Sequence, residues 1–117
     1  MKLIIAGSRT ISMSVEELDS VISSFDIKDI TEVVSGNANG MDKSGEQWAK
    51  SKNIPIKIFK PDWSIGKAAG HIRNRDMGDY ADCALVVYNG SSGSQGMIDY
   101  MNKLKKPCYV CLRFNKN

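Results

Sequence analysis

The chain lacks any apolar run long enough to form a membrane-spanning helix. Such a helix needs about 20 consecutive apolar residues, whereas the run near the N-terminus, residues 3–6, has four. A secretory signal also needs an apolar stretch of about seven residues or more. We therefore predict a cytoplasmic protein that does not interact with membranes.

Residues that bind metals or form disulfides are also scarce. The chain contains three cysteines, Cys83, Cys108 and Cys111, and one histidine, His71. Cys108 and Cys111 form a C-x-x-C motif, but they lie in a predicted strand, where side chains three positions apart point to opposite faces. A zinc site would need more ligands. We therefore predict no metal site, and we expect the thiols to be buried structural groups.

A strong excess of charge of one sign is absent. The 16 Lys and Arg residues against 13 Asp and Glu residues give a net charge of +3, which is small for a dedicated nucleic-acid binder. The basic run at residues 103–106 suits the C-terminal end of a helix. A nucleic-acid partner is therefore not expected. The length of 117 residues, with 42% hydrophobic and 25% charged residues, indicates one globular domain over residues 1–117.

Apolar segments with strand-like and helical periodicity alternate along the chain, which predicts an α/β fold with a parallel sheet between two helical layers. Pro55 cannot donate to a sheet ladder and places the third strand at an edge, and the almost wholly apolar fourth strand suits the centre. The predicted strand order is therefore 3-2-1-4-5. The predicted strands are residues 2–6, 31–35, 54–59, 83–88 and 107–112, and the predicted helices are residues 14–25, 40–52, 67–81 and 94–105.

Glycine-rich polar turns follow three of these strands, at residues 7–10, 35–42 and 89–96. Ligands of open parallel sheets bind at the carboxyl ends of the strands, where the winding reverses, so these turns should meet at one edge. Backbone N–H groups at helix N-termini, serine hydroxyls and the Arg9 guanidinium all suit a phosphate. Any one of these turns, taken alone, could be an ordinary βα connection.

The turns match neither G-x-G-x-x-G nor the Walker A pattern, so neither a dinucleotide cofactor nor a P-loop is expected. The segment from Trp63 to Tyr80 carries further candidates. Trp63 could stack on a base or act as a core or interface aromatic residue, and Arg73 with Asn74 could supply polar contacts.

Three side chains are candidates for acid–base chemistry, namely Asp42, Asp76 and His71. Each also has a purely structural interpretation. Asp42 could cap its helix or hold Asn37, and His71 could be a hydrogen-bonded structural residue. Whether the protein is an enzyme therefore remains open at this stage.

Six motifs follow one another along the chain, namely A-G-S-R at residues 6–9, S-G-x-x-x-G-x-D at 35–42, P-x-W at 61–63, G-x-x-A-G-x-x-R-N-x-x-M at 66–77, A-D at 81–82 and the Gly/Ser turn at 90–94. Together these motifs resemble the YspA-related branch of the SLOG superfamily. The resemblance implies a Rossmann-like fold that binds nucleotides or nucleotide-derived ligands, such as an ADP-ribose-like signal. It also implies a bacterial or phage origin and a homo-oligomer.

The phosphoribohydrolase branch of the superfamily shares R-x-x-x-M, which Arg73 and Met77 match. That branch also carries G-G-x-G-T-x-E-E, and this chain has Gly96 and Met97 where the two glutamates would stand. The sequence therefore predicts a ligand-binding protein, with an N-glycosidase or phosphoribohydrolase-type nucleotide hydrolase as the alternative. The predicted ligand-binding residues are Gly7, Ser8, Arg9, Ser35, Gly36, Asn37, Gly40, Asp42, Trp63, Arg73, Asn74, Gly90, Ser91, Ser92, Gly93 and Ser94.

Overall fold

The computed structural model describes residues 1–113, and residues 114–117 of the predicted domain lie outside the described residues. Five parallel strands form one sheet in the order β3-β2-β1-β4-β5, which confirms the predicted α/β topology. The strands are β1 (Lys2–Gly7), β2 (Glu32–Ser35), β3 (Ile56–Ile58), β4 (Cys83–Tyr88) and β5 (Cys108–Leu112). The helices are α1 (Val15–Ser24), α2 (Met41–Ser51), α3 (Ala69–Tyr80) and α4 (Ser92–Lys103), and a short 3-10 helix spans Trp63–Ile65.

Two apolar clusters, one on each face of the sheet, make the molecule a three-layer sandwich. Alternate residues of β1 point to opposite faces, so Leu3 joins one cluster and Ile4 the other. Helices α1 and α2 cover the first cluster, and α3 and α4 cover the second. Cys111 packs against the first cluster and Cys108 against the second, and all three cysteines are free.

Local chemistry sets the helix boundaries. Ser14 caps α1 through a capping box, because its hydroxyl accepts from the Glu17 N–H and the Glu17 carboxylate accepts from the Ser14 N–H. Helix α4 begins at Ser92, two residues before the predicted start, because Ser91 takes the extended N-cap conformation. Helix α3 begins at Ala69 and not at Lys67, because a turn at Gly66 with φ of 94° precedes it.

Strand β3 is shorter than predicted and lies at the edge of the sheet. Pro55 stands just before it, and the Pro55 carbonyl accepts from the Val33 N–H at 2.9 Å. Because proline has no N–H to donate, regular pairing begins only at Ile56. Within residues 1–113 no helix has both the length and the apolar character needed to cross a membrane.

Candidate functional site

A cleft of about 430 Å³ lies at the carboxyl ends of the central strands. It is formed by the turns after β1, β2 and β4 together with the 3-10 helix and parts of α3 and α4. The predicted meeting of the polar turns therefore occurs. The lining residues are Ala6, Gly7, Ser8, Arg9, Ala38, Asp42, Trp63, Lys67, Gly70, His71, Arg73, Asn74, Met77, Ser91, Ser92, Gly93, Ser94 and Met97.

A network of hydroxyl and amide groups joins the turns after β1 and β4. The buried Ser8 hydroxyl lies 2.9 Å from the Thr10 hydroxyl and accepts from the Asn89 side-chain amide at 3.0 Å. The Asn89 side-chain oxygen in turn accepts from the Ser91 N–H at 3.3 Å. These bonds fix the β4 turn against the β1 turn, so Arg9 and the start of α4 share one cleft.

The N-terminus of α4 opens into this cleft. Ser91 stands at the N-cap position, but its hydroxyl donates to Ser94 Oγ at 2.7 Å. No side chain caps the helix. The first N–H groups of a helix have no partner inside it and carry about half a positive charge. Ser92 and Gly93 are exposed, so an anion can approach these N–H groups directly.

The turn after β2 is docked on the turn after β1. Gly40 has φ of 77°, and a Cβ atom placed on it would lie 2.4 Å from the Ser8 carbonyl oxygen. A side chain at this position would therefore collide with the neighbouring turn. The Met41 N–H donates to the same carbonyl at 3.2 Å, which fixes the start of α2 beside the cleft.

Asp42 places a carboxylate in the cleft wall, although the residue is only 7% exposed. Its Oδ2 atom accepts from the Ala38 N–H at 3.1 Å. Burial raises the pKa of Asp42 to about 6; the Ala38 bond and the Arg73 and Arg9 guanidinium groups oppose this shift, and nearby Glu46 adds to it. Asp42 does not cap α2, since Gly40 is the N-cap residue and no side-chain cap is formed.

Arg73 reaches from α3 across the cleft to the β2 turn. Its Nη1 atom donates to the Gly36 carbonyl at 2.7 Å, and its Nε atom donates to the Asn74 side-chain oxygen at 2.9 Å. Partial burial lowers the pKa of Arg73, and the nearby Asp42 carboxylate offsets only part of this shift. Arginine nevertheless keeps its charge in proteins, so a fixed cation stands beside the Asp42 carboxylate.

A second lobe of about 450 Å³ adjoins the first. Arg9, Ala38, Trp63 and Arg73 line both lobes, so the two form one branched cleft. Trp63 is 59% exposed, which identifies it as a surface aromatic residue and contradicts its interpretation as a core residue. Its ring is therefore free to stack on a flat group. The second lobe is also lined by Gly36, Asn37, Asn39, Lys60 and Pro61.

Several predicted site residues do not line either lobe. Ser35 is fully buried behind the wall, where its hydroxyl donates to Glu46 Oε2 at 2.7 Å. Gly40 supports the turn from behind, as described above. Gly90 is exposed with φ of 96° and lines neither lobe. Asp76 is exposed on α3 and is also outside both linings.

His71 and Asn74 line the first lobe and also a separate groove between α3 and α4. The predicted site did not include the lining residues Ala6, Ala38, Asn39, Lys60, Pro61, Lys67, Gly70, Met77 and Met97, or the supporting residue Glu46. Glu46 follows Asp42 by one helical turn, and this i, i+4 spacing could have indicated a shared face. Within residues 1–113 no group of three or more His, Cys, Asp or Glu side chains is placed to hold a metal ion.

Comparison with known proteins supports the resemblance drawn from the motifs. The family model described as YAcAr, the YspA, cpYpsA-related SLOG family, matches residues 1–66. The chain belongs to this SLOG family. No curated protein and no solved structure matches the chain. The matched segment of this SLOG protein includes the β1 turn, the β2 turn and Trp63, whereas Arg73 and the β4 turn lie beyond it.

The structure also locates the two residues that stand in place of the phosphoribohydrolase glutamates. Met97 is buried and lines the floor of the first lobe, and Gly96 lines the groove between α3 and α4 instead. Neither residue carries a group that can transfer a proton or stabilise a cation. Among the residues that line the two lobes, Asp42 is the one that carries a carboxyl group.

Proposed function

We propose that this SLOG-family protein binds a nucleotide or a nucleotide-derived small molecule in the branched cleft. The observation that carries the proposal is the joining of Arg9 and the uncapped N-terminus of α4 in one cavity. A guanidinium and a set of free backbone N–H groups form a site for a phosphate. Phosphate binding at this end leaves Trp63 and the second lobe for the base.

Arg73 and Asn74 then supply polar contacts between these two ends. Arg73 is held by Gly36 and Asn74, so its remaining N–H groups are oriented before a ligand arrives. A preorganised donor loses little conformational freedom on binding. This organisation favours a ligand with an anionic end and a flat, aromatic end.

Isothermal titration calorimetry with AMP, ADP, NAD and cyclic AMP tests the proposal. We expect at least one of them to bind, and we expect Arg73→Ala to weaken that binding about tenfold or more, because a hydrogen bond to a charged group is lost. Arg75→Ala is the matched control, since Arg75 is exposed on the same helix and lines neither lobe. Absence of binding by all four compounds, or equal losses in the two variants, would contradict the proposal.

A second candidate function, a nucleotide hydrolase of the N-glycosidase or phosphoribohydrolase type, is favoured by one observation. Asp42 is a largely buried carboxyl in the cleft wall, and its pKa is raised to about 6 by burial, which suits a general base near neutral pH. If this function is correct, chromatography will detect free base or ribose phosphate released from a nucleoside monophosphate. Asp42→Asn should abolish that release, and an unchanged nucleotide after incubation with excess protein would exclude it.

A further inference from the structure

The cleft combines several cations with a single carboxylate. Arg9, Lys67 and Arg73 line the first lobe, and Asp42 contributes the one acidic side chain among the lining residues of the described chain. A negative charge in a wall built for an anion opposes phosphate binding nearby. The part of the ligand that contacts Asp42 should therefore be a hydrogen-bond donor and not a phosphate.

The hydrogen bonds of Asp42 leave one of its oxygen atoms available. Oδ2 accepts from the Ala38 N–H, while Oδ1 accepts no hydrogen bond from the described residues. Within residues 1–113 no fully buried side-chain oxygen or nitrogen lacks a partner. Oδ1 therefore reaches the accessible surface, and the surface available to Asp42 is the cleft wall.

Arg73 does not neutralise this carboxylate through a direct ion pair. Its guanidinium is bonded to the Gly36 carbonyl and to Asn74, and it forms no salt bridge with Asp42 in the described part of the chain. The two groups converge over Gly36. A Cβ atom on Gly36 would lie 2.7 Å from Arg73 Nη1 and 2.9 Å from Asp42 Oδ2, so the absence of a side chain there keeps both groups in place.

We propose that Asp42 accepts hydrogen bonds from the ribose hydroxyls of the bound ligand and thereby selects ribonucleotide-derived ligands over deoxyribonucleotides. The inference rests on the proposed nucleotide-binding function. A carboxylate is a strong acceptor for hydroxyl donors, and a ribose presents two adjacent hydroxyl groups. The base and the phosphate have their own partners in Trp63 and the α4 N-terminus.

The topology supports this division of the ligand. Asp42 follows β2 and the α4 N-terminus follows β4, and these strands lie on either side of β1. Neighbouring strands are about 4.8 Å apart, so the ends of β2 and β4 are separated by roughly 10 Å. A nucleoside monophosphate can span this distance with its phosphate at α4 and its sugar beside Asp42.

Calorimetric titrations of the intact protein with AMP, 2′-deoxy-AMP and 3′-deoxy-AMP test the inference. We expect wild-type protein to bind at least one deoxy compound about tenfold or more weakly than AMP, because a hydrogen bond to a charged acceptor is lost. Asp42→Asn should bind AMP and the deoxy compounds with similar affinity. Asp76→Asn is the control for the same chemical change at an exposed position outside both lobes, and it should keep the wild-type preference.

The outcomes separate this inference from the function on which it rests. If none of the three compounds and no other nucleotide binds, the proposed function fails, and the inference fails with it. If wild-type protein binds all three equally, only the selection by Asp42 is wrong. A preference that persists in Asp42→Asn would also overturn the inference, as would a loss of affinity that is the same for all three compounds.

Discussion

The two turns that flank the end of β1 form opposite walls of one cleft, but they are built from different chemistry. The wall after β4 consists of neutral groups, chiefly the Ser91, Ser92 and Ser94 side chains and the free N–H groups of α4. The wall after β2 contains the buried carboxylate of Asp42, and the partly buried guanidinium of Arg73 reaches from α3 to meet it over Gly36.

The two walls differ in what they cost the stability of the folded protein. Neutral groups that bond to each other near the surface cost little to fold, and the helix N-terminus remains available for an anion. A charged carboxylate that burial disfavours is a net cost to the folded state at neutral pH. Such a cost is typical of a group kept for binding or chemistry, since active sites concentrate groups with shifted pKa values.

The strongest test of this comparison is the stability of Asp42→Asn. Burial raises the pKa of Asp42 from 3.8 to about 6, so the folded state binds its proton more tightly than the unfolded state does. The folded state therefore loses stability as the pH rises from about 4 to 6, by about 3 kcal/mol in total. We expect Asp42→Asn, which can retain the bond from Ala38, to be more stable than wild type at pH 7.5 by up to that amount.

This advantage should become small at pH 3.5, because the carboxyl is then protonated in the folded state and mostly protonated in the unfolded state, where its pKa is 3.8. Denaturant unfolding at pH 3.5 and pH 7.5, followed by circular dichroism, measures both differences. Asp76→Asn should show no such pH-dependent gain, because Asp76 is exposed. A variant Asp42→Asn that is less stable than wild type at both pH values would show that the carboxylate has a supporting role in the fold.

A smaller effect is expected from a methyl group at Gly36. In Gly36→Ala the added Cβ must displace the end of the Arg73 or Asp42 side chain, as the contacts of 2.7 and 2.9 Å require. If the hydrogen bond from Arg73 to the Gly36 carbonyl is lost, the cost is up to about 3 kcal/mol. Nucleotide affinity should fall as well, because Arg73 loses its position. Calorimetry and denaturant unfolding of the variant measure the two effects separately.

Gly96→Ala is the matched control for this change. Nothing lies within 4 Å of a Cβ at Gly96, which is in the interior of α4 and outside both lobes. Its stability should rise by about 0.5–1 kcal/mol, since alanine favours a helix, and its nucleotide affinity should not change. If Gly36→Ala changes stability and nucleotide affinity in the same way as Gly96→Ala, the convergence of Asp42 and Arg73 over Gly36 has no functional importance.

Much of the fold could be predicted because it depends on local patterns. The apolar run of β1 and the helical spacing of apolar residues in α1 are visible in the sequence, and both elements lie where they were expected. The errors are at element ends. Helix α4 starts at Ser92 and not at Ser94, because a serine N-cap can be any of three neighbouring serines and only the backbone angles of Ser91 decide between them.

The candidate site could be predicted in part. The convergence of Arg9 with residues 91–94 follows from the strand order, since all parallel strands end at the same edge. The sequence did not distinguish the lining residues Gly36 and Asn37 from the buried support of Ser35, since all three belong to one polar turn. The contribution of Lys67 was also missed, because its access to the cleft depends on the turn at Gly66.

The sequence by itself determined the family, the α/β class and the strand order, because periodicity, glycine position and motif order are properties of the chain. Only the tertiary structure decided that Asp42 is buried beside Arg73, that Asp76 is exposed and that Trp63 is on the surface. Burial and charge environment depend on residues distant in the chain, and these long-range contacts determine which of several similar polar side chains can meet a ligand.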